Sequence, residues 1–180
     1  MSILDSTNRV LQHVPRWAII RTLRQQSVAE HSYYVAIYAT AIAKLLSMRT
    51  QDINWITQYS LTHDFDEMVS GDIPTPYKKY TVKDAPILQH LSTMAEEIQV
   101  NSSTDIKYCK DVVKVADIFE ACMYLSDELG MGNRTVAPLL QDMHWHLSTM
   151  AKDLDGGLPK TLAEKVYETP RTYLYSSKEF

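Results

Sequence analysis

The chain has 180 residues, 45% of them hydrophobic and 22% charged, which is an ordinary globular balance and excludes disorder as the main state. That length lies within the range of one domain and can bury a sizeable core, so a single domain over residues 1–180 is expected. The net charge of −4 argues against a general binder of duplex DNA or RNA, while a local basic patch could still serve a small anion.

The hydropathy pattern is helical nearly throughout, and no strand alternation persists. A first helix is predicted over 3–13, closed by Pro15, and a second, short one over 16–24. The segment Ala29–Leu46 is apolar almost all round, with Val35, Tyr38, Ile42 and Leu45 on one face, and reads as a buried helix. Residues 52–63 carry Ile53, Ile56, Tyr59 and His63 at helical spacing. Two prolines and a glycine then force a loop over Ser70–Pro76. Helices resume over 85–100, 105–128, 135–153 and 159–168, separated at Asn101-Ser102-Ser103, Gly130-Met131-Gly132-Asn133 and Asp155-Gly156-Gly157. The expected fold class is an all-α helical bundle.

Cys109 and Cys122 fall in one predicted helix, roughly 20 Å apart, which is too far for a bridge. Reduced thiols point to a cytoplasmic compartment. The N-terminus lacks the basic and apolar regions of a signal peptide, and the longest apolar stretch, Tyr33–Ala43, is too short to span a membrane.

Basic residues cluster. Arg9, Arg16, Arg21 and Arg24 face Asp5 alone, and Lys78, Lys79 and Lys83 have no acid among them; both groups are candidate anion contacts or solvated faces. His63-Asp64 ends a helix just before the proline loop. His31 starts the buried helix, and Asp117 interrupts an apolar stretch. A carboxylate on a buried helical face is costly unless paired or bound to a cation. Lys114 or an arginine could pair Asp117. Alternatively two imidazoles and two carboxylates make an N₂O₂ set suited to Zn²⁺, Co²⁺, Mn²⁺ or Fe²⁺ and poorly suited to calcium.

Three blocks, in order, resemble the HD-domain metal-dependent phosphohydrolases. They are Arg16-Trp17 with Ser27-Val28-Ala29-Glu30-His31-Ser32, then His63-Asp64-Phe65-Asp66-Glu67 running into Gly71-Asp72-Ile73-Pro74-Thr75-Pro76-Tyr77-Lys78, then Lys114-Val115-Ala116-Asp117. Within that family the chain is most similar to bacterial 5′-deoxynucleotidases and to small phage enzymes that hydrolyse dATP. The resemblance implies a helical HD-domain bundle with His31, His63, Asp64 and Asp117 as metal ligands. It also implies that Glu67 lies near the phosphate and Asp72 beside the sugar and leaving oxygen, as the catalytic carboxylates. Arg16 and Lys78 match phosphate contacts, and Trp17 matches the aromatic residue at the base or sugar. Lys79 is a further candidate contact. The implied cofactor is a divalent transition metal (Zn, Co or Mn), with room for a second ion such as Mg²⁺.

The expected reaction is metal-dependent hydrolysis of a 2′-deoxynucleotide at its 5′ phosphate ester, with dATP preferred and deoxyadenosine released. Ile19, two residues beyond Trp17, would disfavour guanine, whose 2-amino group loses its hydrogen-bond partners against a branched apolar side chain. Two alternatives stay open: a 5′-deoxynucleotidase acting on monophosphates, and a non-catalytic HD protein that binds a nucleotide. The resemblance further implies a homo-oligomer, dimer or hexamer, and a cytoplasmic setting (the host cytoplasm for a phage-encoded chain).

Overall fold

The computed structural model describes residues 6–74 and 105–168. The helix expected over 85–100, and Lys78, Lys79 and Lys83, lie outside the described residues. The described elements are a 3₁₀ helix Ser6–His13, α1 Val28–Leu45, α2 Thr50–Thr62, α3 Glu67–Ser70, α4 Ile106–Gly130, a 3₁₀ turn Arg134–Val136, α5 Ala137–Leu154 and α6 Leu158–Glu168. The expected all-α helical bundle is therefore observed, with a lone bridge between Pro15 and Ser27 as the one extended pairing among the described residues.

Helix α4 is the hub, packing against α1, α2, α5 and α6, while α1 lies on α2. Its N-terminus is capped by Asp105, whose carboxylate accepts the Lys107 and Tyr108 amides. The core between these helices holds Val35, Ala39 and Ile42 of α1, Trp55 and Ile56 of α2, and Val112, Val113, Phe119 and Leu125 of α4. Burying each of the larger aliphatic chains contributes about 1.5–3 kcal/mol. Ser27 caps α1 by accepting the Glu30 amide at 3.2 Å, in a Ser-x-x-Glu arrangement that fixes where the helix begins. That start matters, because His31 occupies the first turn.

Helix α1 is less buried than its sequence predicts. Its buried stripe runs through Val28, His31, Ser32, Val35, Ala36, Ala39 and Ile42, but Tyr33, Ile37 and Leu45 are exposed. The helix is apolar all round without being buried all round.

The larger correction concerns residues 16–24, which form no helix. The Arg16 amide donates to the Gln26 carbonyl at 2.9 Å and the Val28 amide to the Val14 carbonyl at 2.9 Å, so the chain leaves and rejoins at a two-residue ribbon. Between them the backbone is held by α4 and the residues after it. Glu128, fully buried, accepts the Leu23 amide at 2.7 Å and the Arg24 amide at 2.8 Å, and Asn133 donates its side-chain amide to the Arg21 carbonyl at 2.9 Å. These tertiary hydrogen bonds replace the i→i−4 bonds a helix would make. The first helix expected over 3–13 is also wound more tightly, as the 3₁₀ helix Ser6–His13.

Candidate active site

Three elements bring the polar residues together. His31 comes from the first turn of α1, His63 caps the end of α2 with Asp64 next to it, and Asp117 lies in the middle of α4. Ligand atoms of His31, His63 and Asp117 all lie within 4.8 Å of one another. His31 Nε2 stands 3.3 Å from Asp117 Oδ1 and 3.7 Å from Asp64 Oδ2. His63 Nε2 is 3.3 Å from the same Asp64 oxygen. The Nε2 atoms of His31 and His63 are both buried and neither makes a well-formed hydrogen bond.

The far side of each imidazole is occupied. His63 Nδ1 donates to the Ser60 carbonyl at 2.7 Å, and His31 Nδ1 meets Glu120 Oε2 at 2.6 Å. Both rings therefore turn Nε2 inward, towards the carboxylates. Two inward nitrogens and two carboxylates form a mixed N/O donor set of the kind a divalent transition ion accepts, so the residues present fit such an ion.

The electrostatics agree. Burial and the Arg16 charge both disfavour protonation of His31, yet Asp117 and Glu120 overcome them and push it up to about 9. Burial would raise Asp117, but the contact with His31, together with the charges of Lys114, His31 and His63, holds it well below the usual carboxylate range. Asp64 is also held low, its burial outweighed by His63, His31 and Arg16. The carboxylates thus draw positive charge into one small volume. The pairing with Lys114 is present, Asp117 Oδ2 meeting its ammonium at 2.5 Å, and Asp117 Oδ1 faces His31 at 3.3 Å.

His63, Asp64 and Asp117 line a cavity of about 630 Å³, while His31 is fully buried and does not line it; the volume is typical of small-molecule sites. Arg16 enters from the ribbon, its guanidinium 3.4 Å from Asp64 Oδ2. Burial opposes its charge, and Asp117, Asp64, Asp72 and Glu120 sustain it. Trp17 lines the cavity and stacks on Tyr124, with ring centroids 5.4 Å apart and planes 8° from parallel. Its backbone is left-handed, φ 65°, a conformation that costs a non-glycine residue about 1–3 kcal/mol. The Trp17 amide donates to Asp72 Oδ2 at 3.2 Å, which helps hold it there. Asp72 follows Gly71, whose φ of 69° turns the chain out of α3. Ile19 is exposed at the cavity mouth.

Not every candidate joins the cavity. Glu67 is buried in α3, a turn after His63, but is not a cavity-lining residue. The helix that would have carried it onto the His63 face breaks at residues 63–66. Other residues were not anticipated. Tyr59, Lys110, Met143 and His146 line the walls, and Glu120 and Gln26 stand behind His31 and Trp17. Glu120 had a legible signal, since it lies three residues after Asp117 and shares its helix face.

The chain has relatives among known proteins. The sequence profile of the YfbR-like 5′-deoxynucleotidases matches residues 6–154. A 5′-deoxynucleotidase of Erwinia tasmaniensis is 30% identical over 141 residues, covering 68% of this chain and 71% of that protein. One from Pectobacterium atrosepticum is 28% identical over 141 residues, with the same coverage of 68% and 71%. Among solved structures, the cyanophage S-2L HD phosphohydrolase DatZ, bound to dA and one catalytic Zn²⁺ ion, superposes with a TM-score of 0.70 at 21% identity, covering 95% of this chain and 99% of that one. A conserved protein of Pyrococcus furiosus superposes with a TM-score of 0.65 at 21% identity, covering 90% and 96%. With the profile spanning most of its length and these enzymes among its relatives, the chain belongs to the YfbR-like 5′-deoxynucleotidase family of hydrolases.

Proposed function

We propose that this phosphohydrolase cleaves 2′-deoxynucleotides at the 5′ phosphate ester, with His31, His63, Asp64 and Asp117 holding a divalent transition ion. The observation that carries this reading is the convergence of two inward imidazoles and two carboxylates, of which His63, Asp64 and Asp117 line a cavity together with Arg16. The fold neighbour from cyanophage S-2L is bound to one catalytic Zn²⁺; Zn²⁺, with Co²⁺ or Mn²⁺ as substitutes, is the ion proposed here, and Mg²⁺ the candidate for a second. When bound, such an ion supplies Lewis acidity at the phosphoryl oxygen and makes water a better acid near neutral pH.

The chain's own residues do the rest. The Arg16 guanidinium binds the phosphoryl oxygens and stabilises the charge that grows on them. Asp72 stands beside the sugar and the leaving 5′ oxygen. Trp17, stiffened by its stack on Tyr124, carries the base. Lys78 and Lys79 complete the phosphate contacts in this reading. Buried Cys109 and Cys122, pushed up to about 11 and about 12 by burial, are inert thiols that suit a reducing cytoplasm. No described helix is long and apolar enough to cross a membrane. A homo-oligomer, dimer or hexamer, is part of the proposal, and sedimentation velocity reads it.

The proposed substrate is dATP, split by water into deoxyadenosine and triphosphate. Lys110 lines the cavity wall in addition to Arg16 and the Asp117-paired Lys114, and it is the cation offered to a longer phosphate chain. The second reading, a monophosphatase, rests on relatives named 5′-deoxynucleotidases. The metal-loaded chain assayed against deoxynucleoside tri- and monophosphates and ribonucleotides decides between them. Deoxyadenosine released fastest from dATP supports the first reading, and dNMP cleavage with inert triphosphates supports the second. Lys110→Ala separates them further. An exposed lysine–phosphate contact contributes about 1 kcal/mol, so KM for dATP should rise about fivefold while dAMP is unaffected; equal shifts would remove Lys110 from the triphosphate site. Ile19→Ala should narrow a dATP-over-dGTP preference, and equal wild-type rates on the two would end the base-selectivity reading.

A further inference from the structure

A line of buried side chains runs from the cavity wall to the back of His31. Trp17 Nε1 donates to Gln26 Oε1 at 3.0 Å. Gln26 Nε2 donates to Glu120 Oε1 at 2.6 Å, and Glu120 Oε2 meets His31 Nδ1 at 2.6 Å. Gln26, His31 and Glu120 are all buried, with 1%, 0% and 3% exposure, so water does not offer them alternative partners.

The polarity of this line follows from its first member. An indole nitrogen donates and never accepts. The Gln26 oxygen must therefore face Trp17, which turns its NH₂ towards Glu120. Glu120 accepts there, and a carboxylate accepts at its other oxygen too. His31 Nδ1 must then carry a hydrogen, and that leaves Nε2 as the lone-pair atom of the neutral ring. Nε2 faces Asp117 Oδ1 at 3.3 Å and Asp64 Oδ2 at 3.7 Å. With the ring neutral all of these atoms are acceptors, and a cation held between them reconciles the arrangement, as a second proton on the ring does in its absence.

We propose that Gln26 and Glu120 are positioning residues, which with Trp17 form a polarised hydrogen-bond chain that fixes the tautomer of His31 and aims its Nε2 lone pair at the cation site. This rests on the metal reading of His31. The base platform and a metal ligand are thereby mounted on one continuous network, although neither Gln26 nor Glu120 lines the cavity.

The direction of the chain makes it testable by an isosteric exchange. In Glu120→Gln the new amide oxygen accepts from Gln26, and its NH₂ then donates to His31 Nδ1. His31 is driven to the Nε2–H tautomer, which has no lone pair to offer. The double exchange Gln26→Glu with Glu120→Gln restores every donor to an acceptor. The indole and the amide NH₂ now at position 120 both donate to the carboxylate now at position 26, and the amide oxygen at 120 accepts from His31 Nδ1. Zn²⁺ affinity of the full chain, measured by competition with a chromogenic chelator, should fall about 10–100-fold in E120Q and recover at least tenfold of a hundredfold loss in Q26E/E120Q. A residue that merely packs would show neither the loss nor the rescue.

E120Q binding Zn²⁺ as tightly as wild type, or a folded double variant binding no better than E120Q, would overturn the proposal. Should the double variant not fold, long-range ¹H–¹⁵N spectra of E120Q decide it, at a pH where the ring is neutral: protonated Nε2 is expected, and protonated Nδ1 refutes it. A wild-type chain that binds no Zn²⁺, or His31→Ala binding it undiminished, removes the metal reading instead. The wild-type spectrum still tests the chain in that case, with protonated Nδ1 expected and protonated Nε2 overturning it.

Discussion

His63→Ala is expected to lower kcat/KM by about 10³-fold or more while the fold survives. The magnitude follows from removing one inward nitrogen from a set that already has few: loss of Lewis-acid stabilisation is worth several kcal/mol, and each 1.4 kcal/mol is about tenfold in rate. The fold should survive because His63 stands at the C-terminal cap of α2, where its ring makes one hydrogen bond, to its own helix at Ser60. Turnover alone would not separate a metal site from an ionic cluster, so the discriminating measurement is thermal stability with and without Zn²⁺. A ligand that binds only the native state at about a hundred times its Kd adds about 2.7 kcal/mol. For a chain of this size that raises Tm by about 5–10 °C. Wild type should show the rise and His63→Ala should lose most of it. If the cluster were only Arg16, His31 and His63 neutralising Asp64 and Asp117, Zn²⁺ would leave both melting curves unmoved.

The residues of the proposed metal site were legible because each violates its surroundings. His31 and Asp117 are polar interruptions in apolar helical stretches, and His63-Asp64 precedes a Gly-Asp-Ile-Pro turn that cannot remain helical. The helix boundaries at Pro15, Gly71 and Gly156 were legible for the same local reason. Residues 16–24 were not. Ala18-Ile19-Ile20-Arg21-Thr22-Leu23 suits a helix, and what prevents one comes from Glu128, 105 positions beyond Leu23. No local pattern carries that information. Glu67 failed differently: the spacing from His63 was right for a continuing helix, but the helix ends at Thr62 and resumes as the short α3. Glu120 and Gln26 escaped notice because their importance lies in a chain of partners from three parts of the sequence, and only the assembled fold brings those parts into contact.

The irregular segment that mounts Arg16 and Trp17 has its own dependence on distant residues, and Glu128→Ala should expose it. Glu128 is fully buried and serves three donors: the Leu23 amide, the Arg24 amide and the Asn133 side chain, the last at 2.8 Å. Removing an acceptor leaves each buried donor with a penalty of about 1–3 kcal/mol. Leu23 and Arg24 are themselves exposed, so water recovers part of the loss and the expected destabilisation is about 3 kcal/mol, a fall in Tm of about 6–12 °C. Acid supplies an independent check. Burial would raise Glu128, but Asn133, the two amides and the Arg24 charge hold it below its ordinary value of 4.5. A carboxyl depressed in the folded state stabilises above its unfolded value and loses that contribution as pH falls through the folded one. Wild type should therefore lose stability below pH 4.5 more steeply than Glu128→Gln, which has no such proton to take up. Because Glu128 touches the segment and not the cavity, Glu128→Gln should raise KM more than it lowers kcat, the mark of a loosened platform. An unchanged Tm and KM in both variants would mean that the segment is held without Glu128, by the ribbon at Pro15 and Ser27 and by Asn133 and Asp72.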